Sequence, residues 1–470
     1  MLVLTGYLKH SMKTKQLNSI NPKNTLKIRS WNVFSQKKIE TIVRDTSDAQ
    51  IIWKTIKLDS KLSLIKKLTS TLKDNVKNFS ALMADEMGKP LAQGASEINK
   101  CIWLCNYYID NAEAYLLPEQ IKTEFYKSYI SFQPLGLVFG IMPWNFPFWQ
   151  VFRYAVPALI VGNGVLLKHA SNVQGCANAI EKCFKDSGFP ENIFKNLQIP
   201  SEMVANVIEN NKVAGVAFTG STLAGKKVAK KGGEFLKKTI LELGGNDPYI
   251  ILDDANIDKA VEACIEGRLL NTGQSCISAK RLIVTNKNIF SFTNKLIAIL
   301  RSKVVGDPYD DVDIGPLVSL IAREEVHELV SKSIQLGAKV ILGGKIPKTK
   351  GAYYPITVLT NVKPGMPAFD EEIFGPVFSI IQAENDEEAI RLANNSKYGL
   401  GAAVFTEDIK KGEIIANEKF EAGLCFVNDY VKSDPRLPFG GVKMSGHGRE
   451  LSSYGLKEFV NIKTVVVKSK

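Results

Sequence analysis

A cysteine flanked by small polar residues stands in the stretch Asn271-Thr272-Gly273-Gln274-Ser275-Cys276-Ile277-Ser278-Ala279-Lys280-Arg281. The thiolate is the reactive form of cysteine; nearby cations lower a thiol pKa and apolar burial raises it. A polar loop near Lys280 and Arg281 would therefore lower the pKa of Cys276, whereas an apolar setting would raise it. Taken alone, Cys276 is more simply one of seven ordinary cysteines. Two further stretches change that weighing. Leu241-Glu242-Leu243-Gly244-Gly245-Asn246 puts a carboxylate at the end of an expected strand, and Pro143-Trp144-Asn145-Phe146-Pro147 holds an amide between two prolines that fix the chain around it. A nucleophile, a carboxylate and an amide on three separate loops suit a two-step covalent reaction better than a one-step one.

These loops need elements to hold them. From Asn21 to about Leu116 the apolar residues recur at helical intervals, notably over 62–73 and 79–87, and Gly88-Lys89-Pro90 supplies a helix stop. The period then changes. Residues 126–132 alternate as a strand, 133–136 read as a turn and 137–141 as a buried strand. Beyond Asn145 short strands at 164–168 and 213–218 alternate with helices over 148–159 and 173–185, and a helix over 258–270 leads into the Cys276 loop. Such alternation predicts an α/β fold of mostly parallel sheets covered by helices, with ligands at the carboxyl ends of the strands. At one such end Gly220-Ser221-Thr222-Leu223-Ala224-Gly225 opens a helix, where backbone N–H groups favour a phosphate. By itself that is a weak signal, because glycine turns before helices are common.

Together the three stretches resemble the signatures of the NAD(P)-dependent aldehyde dehydrogenase superfamily, in that family's order and at about its spacing, from about residue 20 to the C-terminus. The resemblance implies an aldehyde dehydrogenase-like fold of two Rossmann-like parallel-sheet domains with a β-hairpin oligomerisation arm. It divides the chain into a loose extension (1–15), a dinucleotide-binding domain (16–122 and 134–243), a catalytic domain (244–445) and the arm (123–133 and 456–470). It implies Cys276 as nucleophile, Glu242 as the base that activates water, and Asn145 with the Cys276 N–H as oxyanion donors. To the cofactor it assigns Met142, Pro143, Trp144, Lys168, Ser171, Gly220, Ser221, Gly225, Leu243, Gly244, Glu372 and Phe374. Many NAD-preferring members carry a glutamate at the position of Ser171; a serine beside Lys168 tolerates a 2′-phosphate, so NADP is expected as the preferred cofactor, with NAD also used. His169 is then a neighbour and not a catalyst. The presence of Glu242 implies water as acyl acceptor and a free acid as product.

Five residues bear on the substrate: Trp149, Arg153, Ser275, Ser278 and Ser433. Trp149 and Arg153 lie four apart on the helix leaving the Asn145 loop and so share a face. An arginine in a tunnel suits a carboxylate, and a salt bridge is its plainer role. The runs Lys168-His169-Ala170-Ser171-Asn172 and Lys432-Ser433-Asp434-Pro435-Arg436-Leu437-Pro438-Phe439-Gly440-Gly441 resemble the bacterial succinate-semialdehyde dehydrogenase subgroup in particular, in which residues matching Arg153 and Ser433 hold the distal carboxylate. The implied substrate is succinate semialdehyde. Glutarate semialdehyde, a broad range of aliphatic aldehydes, or an idle binding or structural protein on the same fold are the alternatives.

Composition sets outer bounds. With 470 residues, 45% of them apolar and 23% charged, the chain suits a globular protein of two or three lobes. The net charge of +12 is spread along the sequence and gives no basic arm, so neither nucleic acid nor a membrane is an expected partner. The run Lys226-Lys227-Val228-Ala229-Lys230-Lys231 reads as a solvated helix face. An odd number of cysteines and no secretory signal fit a reducing cytoplasm, and Cys101 with Cys105 lack the His pair a zinc site needs, so no metal is expected. Exposed strand edges at 126–132 and 460–467 predict a homodimer or homotetramer.

Overall fold

The computed structural model describes residues 16–469; the predicted loose extension, 1–15, lies outside the described residues. The chain enters through an antiparallel pair, Gln16–Ile20 with Lys27–Asn32. This departs from the all-helical reading of 21–116. Leu17 and Ser19 face inward, and only one of them is apolar, so the alternation left almost no trace in the sequence. Four helices follow, Gln36–Trp53, Leu58–Asp74, Val76–Met87 and Leu91–Leu116. The second buries Ile65, Leu68 and Leu72, one stripe of an amphipathic helix. The third stops at Gly88, whose φ of +79° places its N–H on the Ala84 carbonyl, the left-handed cap expected there.

Two parallel sheets carry the rest. The first runs in the order Gly446–His447, Lys238–Glu242, Val213–Thr219, Leu137–Met142, Gly164–His169, Phe194–Asn196, parallel except for the first pair. Leu137–Met142 is buried throughout, as a central parallel strand covered on both faces must be. The helix Trp149–Val161, all 13 of its residues buried, packs so closely on it that a side chain on Gly140 would overlap the Tyr154 ring. The second sheet runs Lys339–Leu342, Thr357–Thr360, Val377–Ala383, Arg281–Thr285, Pro248–Ile251, Gly401–Phe405, Leu424–Val427, parallel except at the Lys339–Leu342 edge.

A third, three-stranded sheet pairs Val460–Val467 with Lys127–Pro134 over their whole length, from Val460 opposite Pro134 to Val467 opposite Lys127. Glu119–Gln120 lies on its far side. The arm strand thus runs on through Gln133 and Pro134, which had been expected to form a turn. Among the described residues no helix is long and apolar enough to cross a membrane.

Candidate active site

Four strands of the first sheet end on one edge, and each delivers a stretch that the sequence had singled out. Leu137–Met142 runs into Pro143-Trp144-Asn145; Gly164–His169 into Ser171; Val213–Thr219 into Gly220-Ser221; Lys238–Glu242 ends on Glu242 itself. The Cys276 loop meets this edge from the other sheet, after the helix Ile257–Leu269.

The loop is bound directly to Asn145. Asn145 Nδ2 donates to the Gln274 carbonyl at 3.1 Å, and Asn271 Nδ2 donates to the Asn145 carbonyl at 2.7 Å. Its path requires three successive left-handed residues, Asn271 (φ 55°), Thr272 (φ 59°) and Gly273 (φ 74°). For the two that are not glycine this conformation costs about 1–2 kcal/mol each. It is held by the Asn271 N–H on Gln93 Oε1 at 2.7 Å and by Thr272 Oγ1, which accepts from the Gly315 N–H at 3.1 Å.

Cys276 is partly exposed at a cavity of about 610 Å³ that Trp149, Arg153, Ser275, Ser433 and Phe439 also line. Burial pushes the Cys276 thiol up to about 12, against the nearby charges of Arg153 and Lys280. Of the two opposing effects on the thiol, burial outweighs the lowering by the cations. Lys280 spends its ammonium on the Ser275 and Cys276 carbonyls at 2.9 and 2.7 Å, and Arg281 points away to the carbonyls of Asn246, Leu392 and Ala393. Ser278 also turns from the cavity and is bonded to Arg268 Nη1 at 3.0 Å. Arg153 does reach the cavity, on the same face as Trp149, yet its Nε lies 2.6 Å from Glu450 Oε2, and both side chains are 2% exposed. Its Nη2 is buried with no hydrogen-bond partner.

Glu242 is buried, and neither carboxylate oxygen has a hydrogen-bond partner. Burial, then the charge of Glu450, raise its pKa well above the usual range, while Arg153 and Arg449 oppose the shift. Asn145 Oδ1 is likewise buried and unpartnered.

A second cavity, of about 370 Å³, is lined by Trp144, Glu372 and Phe374 among others. The Trp144 and Phe374 rings meet edge to face at 5.8 Å. Glu372 accepts from the Gly245 N–H at 3.1 Å and lies 3.5 Å from Lys280 Nζ, and a side chain on Gly244 would overlap its carboxylate. Ser221 caps the helix Thr222–Glu234 by accepting from the Ala224 N–H at 3.3 Å. Gly225 lets that helix approach Leu243, which any Cβ there would overlap. Gly220 donates its N–H to the Glu242 carbonyl at 3.0 Å, so the phosphate-favouring turn and the carboxylate strand are joined. Lys168 is buried, its pKa lowered by burial against the charge of Glu202. Ser171 is partly exposed just past the same strand, and Met142 and Pro143 close the neighbouring one. His169 is buried, bonded to the Pro147 carbonyl at 2.9 Å, with its pKa lowered to about 4 by burial. It is a neutral brace.

Sequence reasoning missed Glu97. Fully inside the protein, Glu97 accepts from the N–H groups of Phe148 and Trp149 at 2.8 and 3.0 Å and pairs with Lys89, which lies 4.1 Å from the Phe146 ring centre. The pair fixes the start of the helix that carries Trp149 and Arg153. Its only trace in the sequence was a glutamate among apolar helix positions.

The fold and the arrangement of these loops define a dehydrogenase built on paired dinucleotide-binding-type sheets. The chain belongs to the aldehyde dehydrogenase family, whose model matches residues 8–465. It is 42% identical over 414 residues to the NAD(P)+ succinate semialdehyde dehydrogenase Sad of Escherichia coli K12, covering 88% of this chain and 89% of that protein. It is 43% identical over 390 residues to the NADP(+) succinate-semialdehyde dehydrogenase 1 of Mycobacterium tuberculosis H37Rv, covering 82% and 85%. The crystal structure of succinic semialdehyde dehydrogenase from Streptococcus pyogenes with NADP+ superposes with a TM-score of 0.94 at 32% identity, over 96% of this chain and 100% of that one.

Proposed function

We propose that this protein oxidises succinate semialdehyde to succinate, preferring NADP and accepting NAD. The observation that carries the reading is a single cavity that joins Cys276 to Arg153 and Ser433, a nucleophile at one wall and donors for a distal carboxylate elsewhere on it. The relatives' names, which specify this substrate and NADP(+) or NAD(P)+, support it.

Cys276 Sγ attacks the aldehyde carbon and loses its proton to water, giving a thiohemiacetal whose oxyanion is held by Asn145 Nδ2 and the Cys276 N–H. A bound dinucleotide would supply the hydride acceptor for that carbon. Lys168 and Ser171 would hold its adenosine side, the Gly220-Ser221 turn with Gly225 and Leu243 behind it its phosphates, and Glu372 and Phe374 its nicotinamide side, with Met142, Pro143, Trp144 and Gly244 shaping the wall. The cavity lined by Trp144, Glu372 and Phe374 fits such a group. Glu242 removes a proton from water, which cleaves the Cys276 thioester and frees succinate. Ser275 and Trp149 bound the carbon chain. On this reading the chain divides into a dinucleotide-binding unit (16–122 and 134–243), a catalytic unit (244–445) and an arm (123–133 and 456–470) through which a homodimer or tetramer forms, although the arm's sheet itself extends to Glu119–Gln120 and Pro134. Free cysteines throughout suit a reducing cytoplasm.

The test is reduced-cofactor formation by the purified protein with succinate semialdehyde against butanal, each with NADP and NAD. The reading requires kcat/KM for the semialdehyde to exceed that for butanal by at least ~10²-fold, the scale of a lost buried charge contact. Equal rates with the two aldehydes would refute the substrate assignment.

A further inference from the structure

The sequence placed the burden of the distal carboxylate on Arg153, but that guanidinium already faces the buried carboxylate of Glu450 at 2.6 Å. Its Nε edge is thus committed to a carboxylate of the protein itself. A second cation reaches the same cavity. Lys100, on the helix Leu91–Leu116, donates from Nζ to Ser433 Oγ at 2.8 Å and lies 4.9 Å from the Trp149 ring centre. Among the described residues it makes no ion pair within bonding distance, whereas Asp434 beside it on the Ser433 loop is taken by Arg436 at 2.6 Å.

We propose that Lys100 is the principal receptor for the distal carboxylate of the aldehyde, with Ser433 as its hydrogen-bonded partner and Arg153 Nη2 as a secondary donor. The inference rests on the semialdehyde reading. An ammonium has three donors; Ser433 takes one and two remain for a carboxylate. Because Ser433 Oγ accepts from Lys100, its own hydroxyl proton is free to donate to the same ligand. The site is costly when empty: burial first, then the like charge of Arg153, lower the Lys100 pKa to about 8. A bound carboxylate offsets both.

The charged and titratable groups facing Lys100 are Arg153 from the Trp149 helix, Asp434 from the Ser433 loop, and Glu97 and Cys101 from its own helix. Of these, Glu97 is committed to Lys89 and to the helix N-terminus it caps. Deprotonation of Lys100 therefore removes the free cation and should weaken the semialdehyde alone.

The experiment compares kcat/KM for succinate semialdehyde and butanal in wild type and Lys100→Met. The ratio is expected to fall by at least ~50-fold in the variant, as for truncation of one partner of a buried charge pair. A ratio within about threefold of wild type overturns the proposal while the substrate reading stands. In wild type, the same ratio should be flat from pH 6 to 7.5 and decline about tenfold per pH unit above the Lys100 pKa of about 8, with shared effects of Cys276 and Glu242 cancelling. A ratio independent of pH overturns it even where the variant fails to fold. A wild type that does not prefer the semialdehyde at neutral pH refutes the substrate reading instead, and the receptor falls with it.

Discussion

At the scale of single residues the site combines groups whose surroundings disfavour their charged forms. Cys276 is held near 12 and Glu242 well above the carboxylate range, both chiefly by burial. For an acid, a raised pKa keeps the protonated form dominant, so the Cys276 thiolate grows about tenfold with each pH unit up to that value. Inactivation by iodoacetamide should accordingly accelerate from pH 6 to 9 with no plateau; a plateau near neutral pH would show a depressed thiol and contradict this picture. The sequence was enough to propose Cys276, Glu242 and Asn145 as the reactive residues, since each sits in distinctive surroundings. The direction of their neighbours was not. Lys280 and Arg281 are adjacent in the chain, yet Arg281 opens a strand and projects to Asn246, while Lys280 folds back on the Cys276 carbonyl. Arg153 shows the same limit: helical spacing placed it on the Trp149 face, but Glu450, far along the chain, was invisible as its partner.

At the scale of elements, the central strands of the first sheet at 137–141, 164–168 and 213–218 followed from apolar runs, because parallel strands buried on both faces are continuous in composition, whereas the strands of the second sheet were not placed one by one. The first strand pair escaped because Ser19 is buried for a polar reason. Its hydroxyl is 2.6 Å from Glu86 Oε1 and donates to the Asn172 carbonyl at 2.7 Å, which ties the chain entry to the stretch after Ser171. The left-handed path before Cys276 was equally unreadable, since Asn and Thr there carry no glycine signature. Gly273 does, and it is needed twice over: φ is +74°, and any Cβ would overlap the Gly375 carbonyl. Gly273→Ala should therefore shift the Cys276 loop, costing about 2–4 kcal/mol of transition-state stabilisation, or ~30-fold to 10³-fold in kcat/KM. Steady-state rates check this, and a variant with wild-type kcat/KM would show the loop to be adaptable.

At the scale of the whole molecule, the strand Val460–Val467 is an open sheet edge with apolar residues outside: Ile462 is 60% exposed and Val466 48%. Native sheets seldom leave such an edge unprotected in the working assembly. Ile462→Lys with Val466→Lys should convert an oligomer to monomers by light scattering, with the monomer fold intact because neither residue is in the core. A monomeric wild type at the same concentration would contradict the arm assignment. The net charge of +12 has no concentrated outlet, and Lys231 of the basic helix run is paired with Glu209 and Glu234. The central claim is a covalent path through Cys276 that Glu242 completes. Intact-mass analysis and peptide mapping of Glu242→Gln, mixed with NADP and succinate semialdehyde, test it most directly. The account predicts one succinyl group accumulating on Cys276 with a single burst of NADPH; steady turnover with no adduct, or an adduct on another residue, would contradict it.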